Sequence, residues 1–188
     1  MYDALGTEGF ERRFGNLFTA LFSETKPRRA SFRNVHWTFV LLTPDALGSR
    51  NSFEVLFRAI SQVGDIEIVI TSLDFLPRHR WSYLISCDYP SYIEALWHEE
   101  EGLLMASTKA LFGPSGNWAA IVDEGGSLGV LTRYTIVGGE PPFIDSLISS
   151  YGGAKQLREK FLRHLSDSHI QPPMSREAQS SLLSDAGW

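Results

Sequence analysis

The chain of 188 residues reads as an α+β protein: a largely antiparallel central sheet with helices packed on it, one N-terminal helix and two C-terminal helices. Three observations predict this. Runs rich in β-branched and aromatic residues cluster in the middle of the chain, glycine-rich turns separate several of them, and helical periodicity flanks them rather than alternating regularly with them.

The first helix is expected over about 8–23, where Phe10, Phe14, Leu17, Phe18, Leu21 and Phe22 recur at helical spacing behind Thr7 and Glu8. That stripe suits a core face. The following KPRRASFRN is a Pro-broken, cationic loop. The run 35–42, VHWTFVLL, is a strand that ends in the turn formers TPDALGSR. Asn51 with Glu54 resembles a capping arrangement for an amphipathic helix carrying Phe53, Leu56, Phe57, Ile60 and Val63 as far as Gly64. Strands are expected at 66–73 and 81–87, joined by DFLPRHR. Pro90 and Ser91 then open a short amphipathic helix, with Tyr92, Ile93, Leu96 and Trp97 on one face, that runs to Gly102. LLMAST, KALFG, NWAAIVD and LGVLTR follow as a hairpin-rich region, punctuated by Gly113-Pro114-Ser115-Gly116 and Glu124-Gly125-Gly126-Ser127. Helices at 142–151 and 154–165 close a single domain over 1–165. The Ser- and Pro-rich stretch 166–188 reads as an arm, poorly ordered or packed on a partner, with room for a short helix near 175–184.

Composition excludes several classes. With 43% hydrophobic, 12% aromatic and 21% charged residues the chain is neither low-complexity nor coiled coil. A net charge of −5 does not suit a surface built to neutralise phosphates, so no direct nucleic-acid partner is expected. One cysteine, Cys87, forms no intrachain disulfide, and no Cys/His cluster has zinc spacing; neither metal nor cofactor is expected. The acidic start, with Asp3, Glu8 and Glu11, is unlike a secretory signal, and no run is long enough to span a membrane, so a cytoplasmic location is expected.

No GxxxxGK[ST], GxGxxG, HExxH or CxxC pattern occurs. His98-Glu99-Glu100-Glu101 are consecutive and so point in different directions on a helix, which suits a solvated face better than a metal site. Cys87 beside Asp88 would serve as a nucleophile only with a histidine such as His79 folded against it, and a buried, inert thiol is the simpler reading. Charge segregation is the more informative feature. Residues 12–58 hold eight Lys/Arg against three Asp/Glu, whereas 88–145 hold nine Asp/Glu against Lys109 and Arg133 alone. Carboxylates beside exposed aromatics can steer and hold a basic partner.

Phe112-Gly113-Pro114-Ser115-Gly116-Asn117-Trp118, followed by a strand, Gly138-Gly139 and the helix PPFIDSLISSYGG, resembles small bacterial immunity-type proteins of contact-dependent and type VI secretion toxin systems. The likeness covers residues 111–151 and brings no motif residues to transfer. It implies a cytoplasmic, non-enzymatic protein that neutralises a cognate toxin by occluding its active site. An acidic surface would fit a toxin with a basic, nucleic-acid-binding site. From charge and expected exposure, the contact candidates are Tyr92, Trp97, Glu99, Glu100 and Glu101, with Asp123 and Glu124 at a hairpin tip. Two other readings stand beside this one: a self-associating scaffold, such as a homodimer, or small-ligand sensor domain, and an enzyme of unrecognised type using the His79/Cys87/Asp88 region.

Overall fold

The computed structural model describes residues 2–23, 32–34, 36–43, 45–73, 81–97, 108–123, 134–166, 176–185 and 188. Seven strands form one sheet: β1 (Tyr2–Leu5), β2 (Thr38–Leu42), β3 (Glu67–Ser72), β4 (Ser82–Ser86), β5 (Lys109–Phe112), β6 (Trp118–Asp123) and β7 (Tyr134–Gly139). Their order is β1-β4-β3-β5-β6-β7-β2, and every neighbouring pair is antiparallel.

Helices cover both faces of this sheet, which is why its strands read as nearly continuous apolar runs instead of alternating ones. On one face Val40, Leu42, Ile68, Ile70, Tyr83, Ile85, Leu111, Ala120 and Val137 meet α4 (Arg50–Gln62), α5 (Tyr89–Trp97) and α6 (Pro141–Ser150). On the other, Phe39, Leu41, Val69, Leu84, Phe112, Ala119 and Ile136 meet the N-terminal helix. That helix runs as α1 (Thr7–Phe10), a π-helical turn (Glu11–Gly15) and α2 (Asn16–Leu21). Phe10, Phe14, Phe18 and Phe22 recur every four residues, a spacing that drifts by about 40° per step on an ideal α-helix. The wider π turn takes up part of that drift, and Phe14, Phe18 and Phe22 all reach the ring of Phe112, with centroids 6.0–6.3 Å away. The edge strand β2 is covered by α7 (Ala154–Leu165), while the opposite edge, β1, has only four residues.

The sequence reading and the structure part at several places. β1 was not expected, because four residues of mixed character carry almost no periodic signal. Within TPDALGSR, a single helical turn, α3 (Asp45–Gly48), precedes α4. The cap of α4 is Ser49, whose Oγ accepts from the Ser52 amide at 3.3 Å; Asn51 lies inside the helix and Glu54 pairs with Arg50 instead. β7 includes Gly138 and Gly139, where the sequence suggests a lead-in to the next helix. They belong to a strand because rings lie against the backbone there: a Cβ on Gly138 would meet Phe39 Cε1 at 2.5 Å, and one on Gly139 would meet Phe143 Cδ1 at 2.6 Å. The runs LLMAST and LGVLTR lie outside the described residues except Thr108. In the C-terminal stretch, α8 (Arg176–Asp185) is followed by Trp188, which packs edge-on against Phe161 of α7 at 5.8 Å.

One polar contact ties the middle of the sheet to α4. Asp65, 5% exposed in the link from α4 to β3, accepts hydrogen bonds from the Ser115 amide (3.0 Å), Ser115 Oγ (2.6 Å) and Trp118 Nε1 (2.9 Å). Gly113 leaves the space these atoms occupy, since a Cβ there would collide with the Asp65 carboxylate. The turn Gly113–Trp118 is therefore shaped around a carboxylate 50 residues away. Asp65→Ala is expected to cost about 2–4 kcal/mol, because it strands the buried Trp118 indole N–H and removes both bonds from Ser115. Gly113→Ala should destabilise as well. Chemical denaturation of both variants beside wild type is the check.

Candidate functional site

Helix α5 carries a contact feature at each end. At its start Asp88 caps the helix: Oδ1 accepts from the Ser91 amide at 2.8 Å and Oδ2 from Ser91 Oγ at 3.0 Å. The helix buries Ser91, Tyr92, Ala95 and Leu96. Its outer stripe consists of Pro90, Glu94 and Trp97, spaced four and three residues apart and all exposed.

Trp97 is 63% exposed, whereas Trp37 and Trp118 are buried in the core. Tyr92 does not accompany it. That residue is 2% exposed and stacked on Phe53 at 4.8 Å, so it leaves the contact surface and joins the core; a helix this short turns only one side to the sheet, and Tyr92 lies on that side with Leu96. Glu99, Glu100, Glu101 and Glu124 lie outside the described residues. Asp123 closes β6 opposite Tyr134, with β3 and β5 between its strand and β4, on which α5 packs. Of the contact candidates whose side chains are described, Trp97 is exposed and Tyr92 is buried. Of the two cations within 88–145, Lys109 is fully buried in β5, while Glu94, Glu140 and Asp145 are exposed.

At the other end of α5 an open groove of about 320 Å³ runs between its first turn and α4. Arg50, Glu54, Phe57 and Arg58 line it from α4, and Tyr89 and Pro90 from α5. Phe53 and Asp88 complete the lining. The rings of Phe53 and Tyr89 are 5.6 Å apart, and Tyr89 Oη donates to the Gly48 carbonyl at 3.3 Å. Sequence spacing does not reveal this groove, because its walls lie some 30–40 positions apart.

The chemistry around Cys87 does not assemble a nucleophile from these residues. The thiol is 3% exposed, and its burial, reinforced by the charges of Asp65 and Asp88, pushes its pKa well above the ordinary cysteine range. Asp88 is engaged in the cap, and His79 lies outside the described residues. The segment Gly125-Gly126-Ser127-Leu128-Gly129 matches a G-x-S-x-G pattern and lies outside the described residues. No group of three or more His, Cys, Asp or Glu side chains among the described residues is placed to hold a metal ion. No helix among them is long and apolar enough to cross a membrane.

The fold defines an α+β protein in which one antiparallel sheet lies between two helical layers. Comparison with protein-family models, curated proteins and solved structures finds no match.

The thiol supplies a pH test. Because Cys87 stays protonated in the fold but ionises in the unfolded chain above roughly pH 8.5, it makes stability fall as pH rises past that point, by up to about 1.4 kcal/mol per pH unit. Cys87→Ala is expected to flatten this alkaline slope relative to wild type, measured by denaturation between pH 7 and 10. Native Cys87 should also resist alkylation at pH 7.5 until the chain is unfolded.

Proposed function

We propose that this protein is a non-enzymatic protein-binding protein of the immunity type, which neutralises a cognate toxin by covering its active site. The observation that carries this reading is Trp97: a large aromatic side chain, 63% exposed on the outer stripe of α5 beside Glu94 and followed in sequence by Glu99-Glu100-Glu101. Tryptophan is the residue most enriched among interface hot spots, where an aromatic anchor is enclosed by a polar rim. Carboxylates around such an anchor accelerate encounter with a cationic surface. A toxin that cleaves or modifies nucleic acid presents that kind of surface at its active site, so an acidic occupant would compete with the substrate there. The resemblance of residues 111–151 to immunity-type proteins points the same way, and inhibition by occlusion needs no chemistry from this chain.

Two predictions test the reading. Trp97→Ala should leave folding unchanged and weaken toxin binding by about 2–4 kcal/mol, roughly 30- to 1,000-fold in Kd. The assay is growth rescue: the protein encoded beside this gene is expressed alone and then with wild-type or Trp97→Ala chain. Toxicity relieved by wild type and not by the variant is the expected result; absence of relief by wild type contradicts the proposal. The triple reversal Glu99→Lys, Glu100→Lys, Glu101→Lys should slow association with the toxin and flatten its salt dependence, read by stopped-flow at two ionic strengths. Equal rates for wild type and variant at both strengths would remove the acidic run from the interface.

A further inference from the structure

The groove between α4 and α5 has the makings of a small-molecule site that is separate from the Trp97 surface. Its floor is aromatic: the ring of Phe53 is buried, Phe57 and Tyr89 are half-buried, and Pro90 forms a rim. Its volume, about 320 Å³, falls at the small end of the range of ligand pockets, which are apolar clefts with a few convergent polar groups.

The charges decide what could enter. Four charged side chains line the groove, and three of them are engaged. Arg50 is paired with Glu54 at 3.0 Å, one turn along α4. Both oxygens of Asp88 accept hydrogen bonds from Ser91, and its charge lies at the positive end of α5. Arg58 is exposed and makes no ion pair with a described residue. The site is therefore an aromatic floor with one guanidinium that has no ion-pair partner among the described residues. A guanidinium receives a carboxylate through two parallel hydrogen bonds and also stacks on flat rings.

The geometry points to a binding site for a small planar aromatic carboxylic acid, its ring on Phe57 and Tyr89 and its carboxylate on Arg58. The ring supplies contact area, and the acid group supplies selectivity against neutral analogues.

The test uses the full chain and two probes that share a ring system, 2-naphthoate and 2-naphthamide, with binding followed by isothermal titration calorimetry and by NMR shifts of the groove residues. The acid is expected to bind about tenfold more tightly than the amide. Arg58→Gln should abolish that preference, whereas Arg163→Gln, an exposed cation on α7, should leave it intact. Because Arg58 is exposed, its replacement tests the contact without threatening the fold. Equal binding of acid and amide, a preference that survives in Arg58→Gln, or no shift at groove residues with millimolar 2-naphthoate would each overturn the assignment. Toxin rescue by Arg58→Gln is expected to match wild type, so the fate of this site and that of the Trp97 surface are read separately.

Discussion

A carboxylate shielded from water joins the two halves of this molecule. Asp65 sits where α4 gives way to β3, and its oxygens receive an amide, a hydroxyl and an indole N–H from the β5–β6 turn. Burying a carboxylate is unfavourable unless its lone pairs are filled, so the turn, the indole and the helix exit are determined together. The neighbouring strands follow from this. β3 takes its place beside β5, Trp118 stacks on Phe143 at 5.7 Å, and α6 is thereby set against the sheet next to α4. Gly113, Ser115 and Trp118 act together as this clasp.

Much of the architecture was legible because burial on both faces leaves a strong mark. Runs such as EIVITS and WAAIVD combine apolar density with β-branching, and α7 shows its inward residues, Leu157, Phe161 and Leu165, at plain helical spacing. What escaped depends on partners distant in sequence. Gly138 and Gly139 look like turn residues until the rings of Phe39 and Phe143 are seen lying on them. The role of Asp65 could not be read from spacing, since its partners are 50 and 53 residues away.

The contact surface was legible in part for the same reason. Periodicity grouped Tyr92 with Trp97, but on α5 the sheet claims Tyr92 and leaves Trp97 outside with Glu94 and Pro90. Sequence can identify which residues of a short helix are apolar; which of them faces the sheet depends on how the helix is seated, here by the Asp88 cap and the stacking of Tyr92 on Phe53. The α4–α5 groove is a tertiary feature altogether. Thus a single helix separates two surfaces of different chemistry: an exposed tryptophan beside Glu94 at one end, and at the other an aromatic recess with a guanidinium that has no ion-pair partner among the described residues.

The contrast between the tryptophans, with Trp118 held in the clasp and Trp97 open to solvent, is tested most directly by hydrogen exchange of the assigned indole N–H groups. The Trp118 indole proton is expected to exchange only as fast as the whole molecule unfolds and to lose this protection in Asp65→Asn, while the Trp97 proton exchanges freely in both proteins. Rapid exchange at Trp118 in the wild-type chain, or strong protection of Trp97 in the isolated protein, would contradict it.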